Sequence, residues 1–138
     1  MSKFLVGKTI NEIKISSDKE ALLFRCADGD HIVKVEADCC SSTWVESIES
    51  PSLGFPALVT DACDLDLNKD DISNDEYECL QFYGFKISTT KGDIVIDYRN
   101  ESNGYYGGSL SWPDDKYYCY GVYGQNISSE EWVCVGFS

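Results

Sequence analysis

Apolar residues along this chain come in short runs that alternate with polar positions and are broken by turn residues, a pattern that predicts strands over helices. Thr9 to Ile15 carries Ile10, Ile13 and Ile15, and Ser16-Ser17-Asp18-Lys19 reads as a turn. Ala21 to Cys26 follows as a strand, Asp28-Gly29 is a strong hairpin signal, and His31 to Ala37 alternates again. The opening is therefore a β-meander. A further strand is expected from Ala57 to about Leu67, a long one from Tyr77 to Thr89, and another from Ile94 to Tyr98 after the turn Lys91-Gly92-Asp93. Helical spacing is found at Thr43 to Ser50, where Thr43 and Glu46 have capping-box spacing, Trp44, Val45 and Ile48 can share a face, and Pro51 ends the element. One more helical turn is expected over Ser128 to Trp132, before Val133-Cys134-Val135. The class these elements predict is α+β, mostly antiparallel sheet with one or two short helices.

The length of 138 residues suits one domain spanning 1–138, with neither an internal repeat nor a linker. Hydrophobic residues make up 43% and charged residues 25%, which points to a soluble globular protein and not to a disordered chain or a membrane span. Met1 to Thr9 lacks the form of a secretory signal, so a cytoplasmic location is expected. The seven cysteines are an odd number, two are adjacent, and there is no CxxC pair and only one histidine, His31. We read Cys26, Cys63, Cys79, Cys119 and Cys134 as reduced, core-type side chains and expect neither a metal site nor a cofactor.

Charge changes the picture more. With 24 acidic against 11 basic residues the formal charge is −13, which opposes nucleic acid and anionic membrane as direct partners and favours a basic or DNA-binding protein. Eight carboxylates fall between Asp61 and Glu78 (Asp61, Asp64, Asp66, Asp70, Asp71, Asp75, Glu76, Glu78) against the single Lys69. Held on a rigid surface, such carboxylates offer the charge and acceptors of a phosphate track, although a solvated face is the plainer reading. Asp64, Asp66, Asn68 and Asp70, with Asp75 at the twelfth position, also alternate like a calcium loop, but Lys69 stands where the turn glycine belongs and the last ligand is not Glu.

Two further clusters carry candidate chemistry. Tyr98, Arg99, Asn100, Asn103, Tyr105, Tyr106 and Trp112 could stack on a base and hold an anionic group, or form a protein interface; a glycine-shaped turn with a tyrosine-rich core edge is the plainer reading. Cys39 and Cys40, just before the expected helix, are candidate reactive thiols. Their only histidine base, His31, precedes Asp38 by seven residues, roughly 23 Å of extended chain, so packing is preferred there too. No phosphate loop, GxGxxG, HExxH or GxSxG is present, and only carboxylate catalysis is left open, so a non-catalytic protein is expected.

Three segments, Phe4-Leu5-Val6-Gly7-Lys8-Thr9-Ile10, Asp38-Cys39-Cys40-Ser41-Ser42-Thr43-Trp44 and Ile96-Asp97-Tyr98-Arg99-Asn100 continuing to Ser102-Asn103-Gly104-Tyr105-Tyr106-Gly107-Gly108, resemble a family of small phage and prophage proteins of unknown function. The resemblance implies a phage setting, in which small acidic proteins often inhibit host defence. The function expected is thus binding: inhibition of a host defence or nucleic-acid-handling protein through an acidic, DNA-like surface. The alternative is a small-ligand binder that sequesters a nucleotide-like signal around Tyr98 to Trp112. A homodimer is also reasonable, through the exposed edges of a small antiparallel sheet.

Overall fold

The turn signals of the first third are realised as hairpins. In a computed structural model that describes residues 3–37, 42–65, 79–102, 108–113 and 132–137, β1 (Thr9–Ser16), β2 (Ala21–Cys26) and β3 (Gly29–Ala37) form the expected meander. β1 pairs with β2 and β2 with β3, the second hairpin closing at Cys26↔Gly29 around Ala27 and Asp28. β4 (Ser42–Glu49), β5 (Ala57–Leu65), β6 (Cys79–Thr89), β7 (Gly92–Ser102), β8 (Gly108–Ser111) and β9 (Trp132–Phe137) complete the set. The strand order is β4-β7-β6-β5-β1-β2-β3-β8, with β9 also paired to β1, and all pairings between these strands are antiparallel.

The described residues contain no helix, so the fold is all-β and the α+β expectation is corrected. The segment read as helix is β4, hydrogen-bonded along its length to β7. Its apolar spacing of three comes from a bulge: the register shifts between Val45 and Ser47, and the extra residue returns Val45 and Ile48 to the same, inward side. The capping-box pair is used otherwise. Thr43 Oγ1 accepts a hydrogen bond from Asn100 Nδ2 at 2.9 Å, and Glu46 Oε2 accepts one from Trp44 Nε1 at 2.9 Å. A single eight-residue helix is marginal in water, whereas β4 gains a full ladder of cross-strand bonds. Of the second helical turn, 128–131 lie outside the described residues and Trp132 opens β9.

The same device recurs. Register shifts between Ile10 and Glu12 and between Val59 and Asp61 bring Ile10 and Ile13, and Val59 and Ala62, onto the buried side three residues apart. Bulges bend strands and increase twist, and here they curl the sheet until β4, at one end of the order, contacts β3 and β8 at the other. Val45 N donates to Lys19 O at 2.8 Å across this closure. The curl encloses one core, with Ile10, Ile13, Leu22, Phe24 and Val33 from one half and Val59, Phe85, Ile87, Ile94 and Ile96 from the other.

Candidate functional site

Strand alternation decides the fate of the expected Tyr98–Trp112 pocket. On β7, Ile94, Ile96, Tyr98 and Asn100 are buried while Val95, Asp97 and Arg99 point to the other face, so Tyr98 and Arg99 cannot line one pocket. Tyr98 stacks on its cross-strand partner Tyr83 at 5.2 Å. Its hydroxyl is pushed up to about 12, first by burial and then by the charge of Asp64 and by Tyr83. Asn100 is fully buried against Thr43, and Trp112 lies in the core, 5.2 Å from the Phe85 ring and 6.4 Å from Phe24. Arg99 instead stacks over Phe82 at 4.9 Å, with Glu46 and Asp97 at 3.7 and 3.6 Å. Tyr98, Asn100 and Trp112 are thus buried in packing. Asn103, Tyr105 and Tyr106 lie outside the described residues, as do Cys39 and Cys40.

Of the acidic surface, Asp61 and Asp64 are described and both are exposed on β5, while Asp66, Asp70, Asp71, Asp75 and Glu76 lie outside the described residues. The calcium-type alternation begins in strand at Asp64, and its remaining positions fall in that same segment. Lys3 Nζ contacts Asp61 Oδ1 at 2.5 Å, and this hydrogen bond, aided by the Ala62 amide, holds the Asp61 carboxyl below its ordinary value. Among the other cysteines, Cys63 is half-buried and Cys134 is exposed, with its Sγ 3.9 Å from Glu12 Oε2, so Cys134 is not the core side chain its neighbours suggested.

A cluster that the sequence reading missed lies at the tip of the β2–β3 hairpin. Alternation places Cys26 on the same side as Phe24, and Phe24 pairs with His31, so Cys26 and His31 share the inward face while Asp28 occupies the turn between them. His31 Nε2 lies 2.9 Å from Asp28 Oδ1, and Lys8 Nζ donates to Asp28 Oδ2 at 2.7 Å. Lys8 is brought in by the turn that precedes β1, where Gly7 has a positive φ of 87° and its N donates to Val59 O. Phe4 packs edge-on to the His31 ring at 5.0 Å, and the Lys8 ammonium sits 5.0 Å over the Phe4 ring.

The electrostatics follow from these contacts. The Lys8 hydrogen bond, then that of His31, hold the Asp28 carboxyl down at about 2. Burial, with the nearby Asp28 charge, pushes the Cys26 thiol up to about 11, so by itself Cys26 is a neutral thiol and not a nucleophile. One donor atom each from Cys26, Asp28 and His31 falls within 4.8 Å of the others. A cavity of about 280 Å³, lined by Val6, Gly7, Lys8, Thr9, Ala27 and Asp28, opens beside them. The signal was legible in principle. The spacing Cys-x-Asp-x-x-His straddles a recognised hairpin turn, and a two-residue turn places its first and last members diagonally on one face.

Among the described residues no helix is long and apolar enough to cross a membrane. The family model described as "Domain of unknown function (DUF7448)" matches residues 3–112, and the chain belongs to that family. It is 32% identical over 115 residues to a protein of Acanthamoeba polyphaga mimivirus described as "Uncharacterized protein L278", covering 76% of this chain and 86% of that protein. No solved structure matches.

Proposed function

We propose that this family member is a non-catalytic protein of viral type that works by binding, its acidic surface occluding the nucleic-acid-handling face of a host protein. The observation that carries the reading is the charge of −13 combined with the exposed positions of Asp61 and Asp64 on β5, the strand that leads into the run of carboxylates ending at Glu78. A strand inside a curled sheet is a rigid mount, and rigidly spaced carboxylates compete for a phosphate-binding cleft better than mobile ones. The small-ligand alternative loses support, because three of its residues, Tyr98, Asn100 and Trp112, are buried in packing. The mimivirus relative supports a viral setting, which is coarser than the phage setting that the sequence resemblance implied.

The test is displacement. Host DNA-binding proteins are loaded on immobilised duplex DNA, and the purified chain is added at low salt. Elution of a discrete protein is expected, with an effect that fades as salt rises. The combined variant Asp64→Lys, Asp66→Lys, Asp70→Lys, Asp71→Lys should elute nothing, and a variant that elutes as well as the parent would refute the acidic mechanism.

A further inference from the structure

We propose that Cys26, Asp28 and His31 form a three-ligand site for a borderline-soft divalent cation of the zinc class at the tip of the β2–β3 hairpin. The inference is independent of the acidic-surface reading. The donor set is one thiol sulfur, one imidazole nitrogen and one carboxylate oxygen, the mixture that zinc accepts and that calcium and magnesium do not. All three donors come from six consecutive residues, and the hairpin register fixes them without help from a distant loop. Their mutual distances, within 4.8 Å, bracket the separations of about 3.3–3.7 Å that tetrahedral bonding at about 2.0–2.3 Å demands. The Nε2 to Oδ1 pair at 2.9 Å would have to open by only a few tenths of an ångström.

Burial grades across the site as a three-ligand centre needs. The Cys26 residue is 6% exposed and forms the floor, the His31 side chain is 18% exposed, and the Asp28 side chain is 47% exposed at the rim. Three protein donors leave a fourth position for water or a small anionic group, and the exposed Asp28 rim, which also lines the adjoining cavity, is the side from which it would enter. Lys8 does not close the site. It bonds Oδ2 of Asp28, leaving Oδ1 for the cation, and so acts as the outer partner that orients a ligating carboxylate; the edge-on Phe4 ring does the same for the imidazole. Binding replaces the proton on Cys26 with the metal, and that proton leaves to solvent.

Cobalt(II) is the probe, titrated into the reduced full chain, because a thiolate-to-cobalt charge-transfer band reports sulfur ligation and the intensity of the visible bands reports tetrahedral geometry. One cobalt per chain with both signatures is expected, displaced by zinc. Because Cys26 is buried and its replacement risks misfolding, His31→Gln and Asp28→Asn carry the argument. Each should weaken cobalt binding by about 10–100-fold or more, with sheet circular dichroism unchanged. Cys26→Ser should remove the charge-transfer band, while the double variant Cys39→Ser, Cys40→Ser should keep it. Absence of a thiolate band in the parent would overturn the site, as would a band that survives His31→Gln and Asp28→Asn undiminished or that vanishes with Cys39 and Cys40.

Discussion

Trp112 separates the two readings of the aromatic cluster by a measurable margin. Were it the wall of a ligand pocket, truncation would cost little stability; as a core residue it should cost much. The ring is 4% exposed and sits between Phe24 of β2 and Phe85 of β6, so it joins the two halves of the curled sheet. Removing a buried aromatic side chain costs about 3–5 kcal/mol, made up of the lost transfer energy and the cavity left behind. The two ring pairs contribute about 0.5–1.5 kcal/mol each within that loss. Against a total stability of about 5–15 kcal/mol for a domain, Trp112→Ala should remove about a fifth or more, and Trp112→Leu should lose less because it refills part of the space.

Urea unfolding followed by circular dichroism is the assay, since the substitution itself removes one of three tryptophans and alters fluorescence. At a slope of about 2 kcal/mol/M the midpoint should fall by about 1.5–2.5 M. Arg99→Ala, which removes a stack on Phe82 and long ion pairs, should cost about 0.5–1 kcal/mol. A Trp112→Ala loss within about 0.5 kcal/mol, the range of surface changes, would refute the core placement and restore Trp112 as a pocket residue.

At neutral pH the melting temperature should rise with added salt, because screening relieves the repulsion of 24 carboxylates more than it weakens exposed pairs such as Lys3–Asp61; a steady fall would contradict this. Burial opposes ionisation of Asp18, but hydrogen bonds from the Ser16 hydroxyl and the Glu20 amide outweigh it, leaving its folded pKa below the ordinary 3.8. A depressed folded pKa gives stability that is present above the unfolded value and lost as pH falls through the folded one, so Asp18→Asn should be less stable at pH 7 and show a shallower acid limb in thermal melts. Gly92→Ala should cost about 1–3 kcal/mol, and more than Gly29→Ala. Both glycines have positive φ, +119° and +134°, but a Cβ at Gly92 would lie 2.7 Å from Ser52 Oγ, whereas one at Gly29 meets nothing within 4 Å. Equal losses in chemical denaturation would show that the clash is relieved elsewhere.

How far the fold was legible depends on the bulges. Where alternation ran unbroken, as in β3 and β7, strand and register follow from the order of residues. Where a bulge intervenes, one inserted residue shifts the phase and apolar positions fall three apart, a separation that α-helix and bulged strand share. In β1 the neighbouring meander protected the strand reading, since Ile10, Ile13 and Ile15 sat beside a clear hairpin. In β4 nothing nearby did, and Thr43 and Glu46 imitated a cap. The partner that decides β4 is β7, roughly fifty residues onward, and a pairing that distant leaves no local trace.

The site divides along the same line, between what a strand's own period determines and what only pairing supplies. Tyr98, Arg99 and Asn100 are consecutive in sequence, and period two sends the middle one to the opposite face, so their grouping as one pocket conflicted with the strand already predicted over Ile94 to Tyr98. Applied across the hairpin, the same rule would have joined Cys26 to His31, residues that are unremarkable when read one at a time. Lys8 and Phe4 could not have been added that way. They reach the hairpin tip because β1 pairs Ile10 with Cys26 and because Ala27 N donates to Thr9 O, contacts that carry the segment before β1 alongside Asp28. Local alternation therefore locates the candidate donors, and only the closed sheet supplies the cation and the ring that hold them in position.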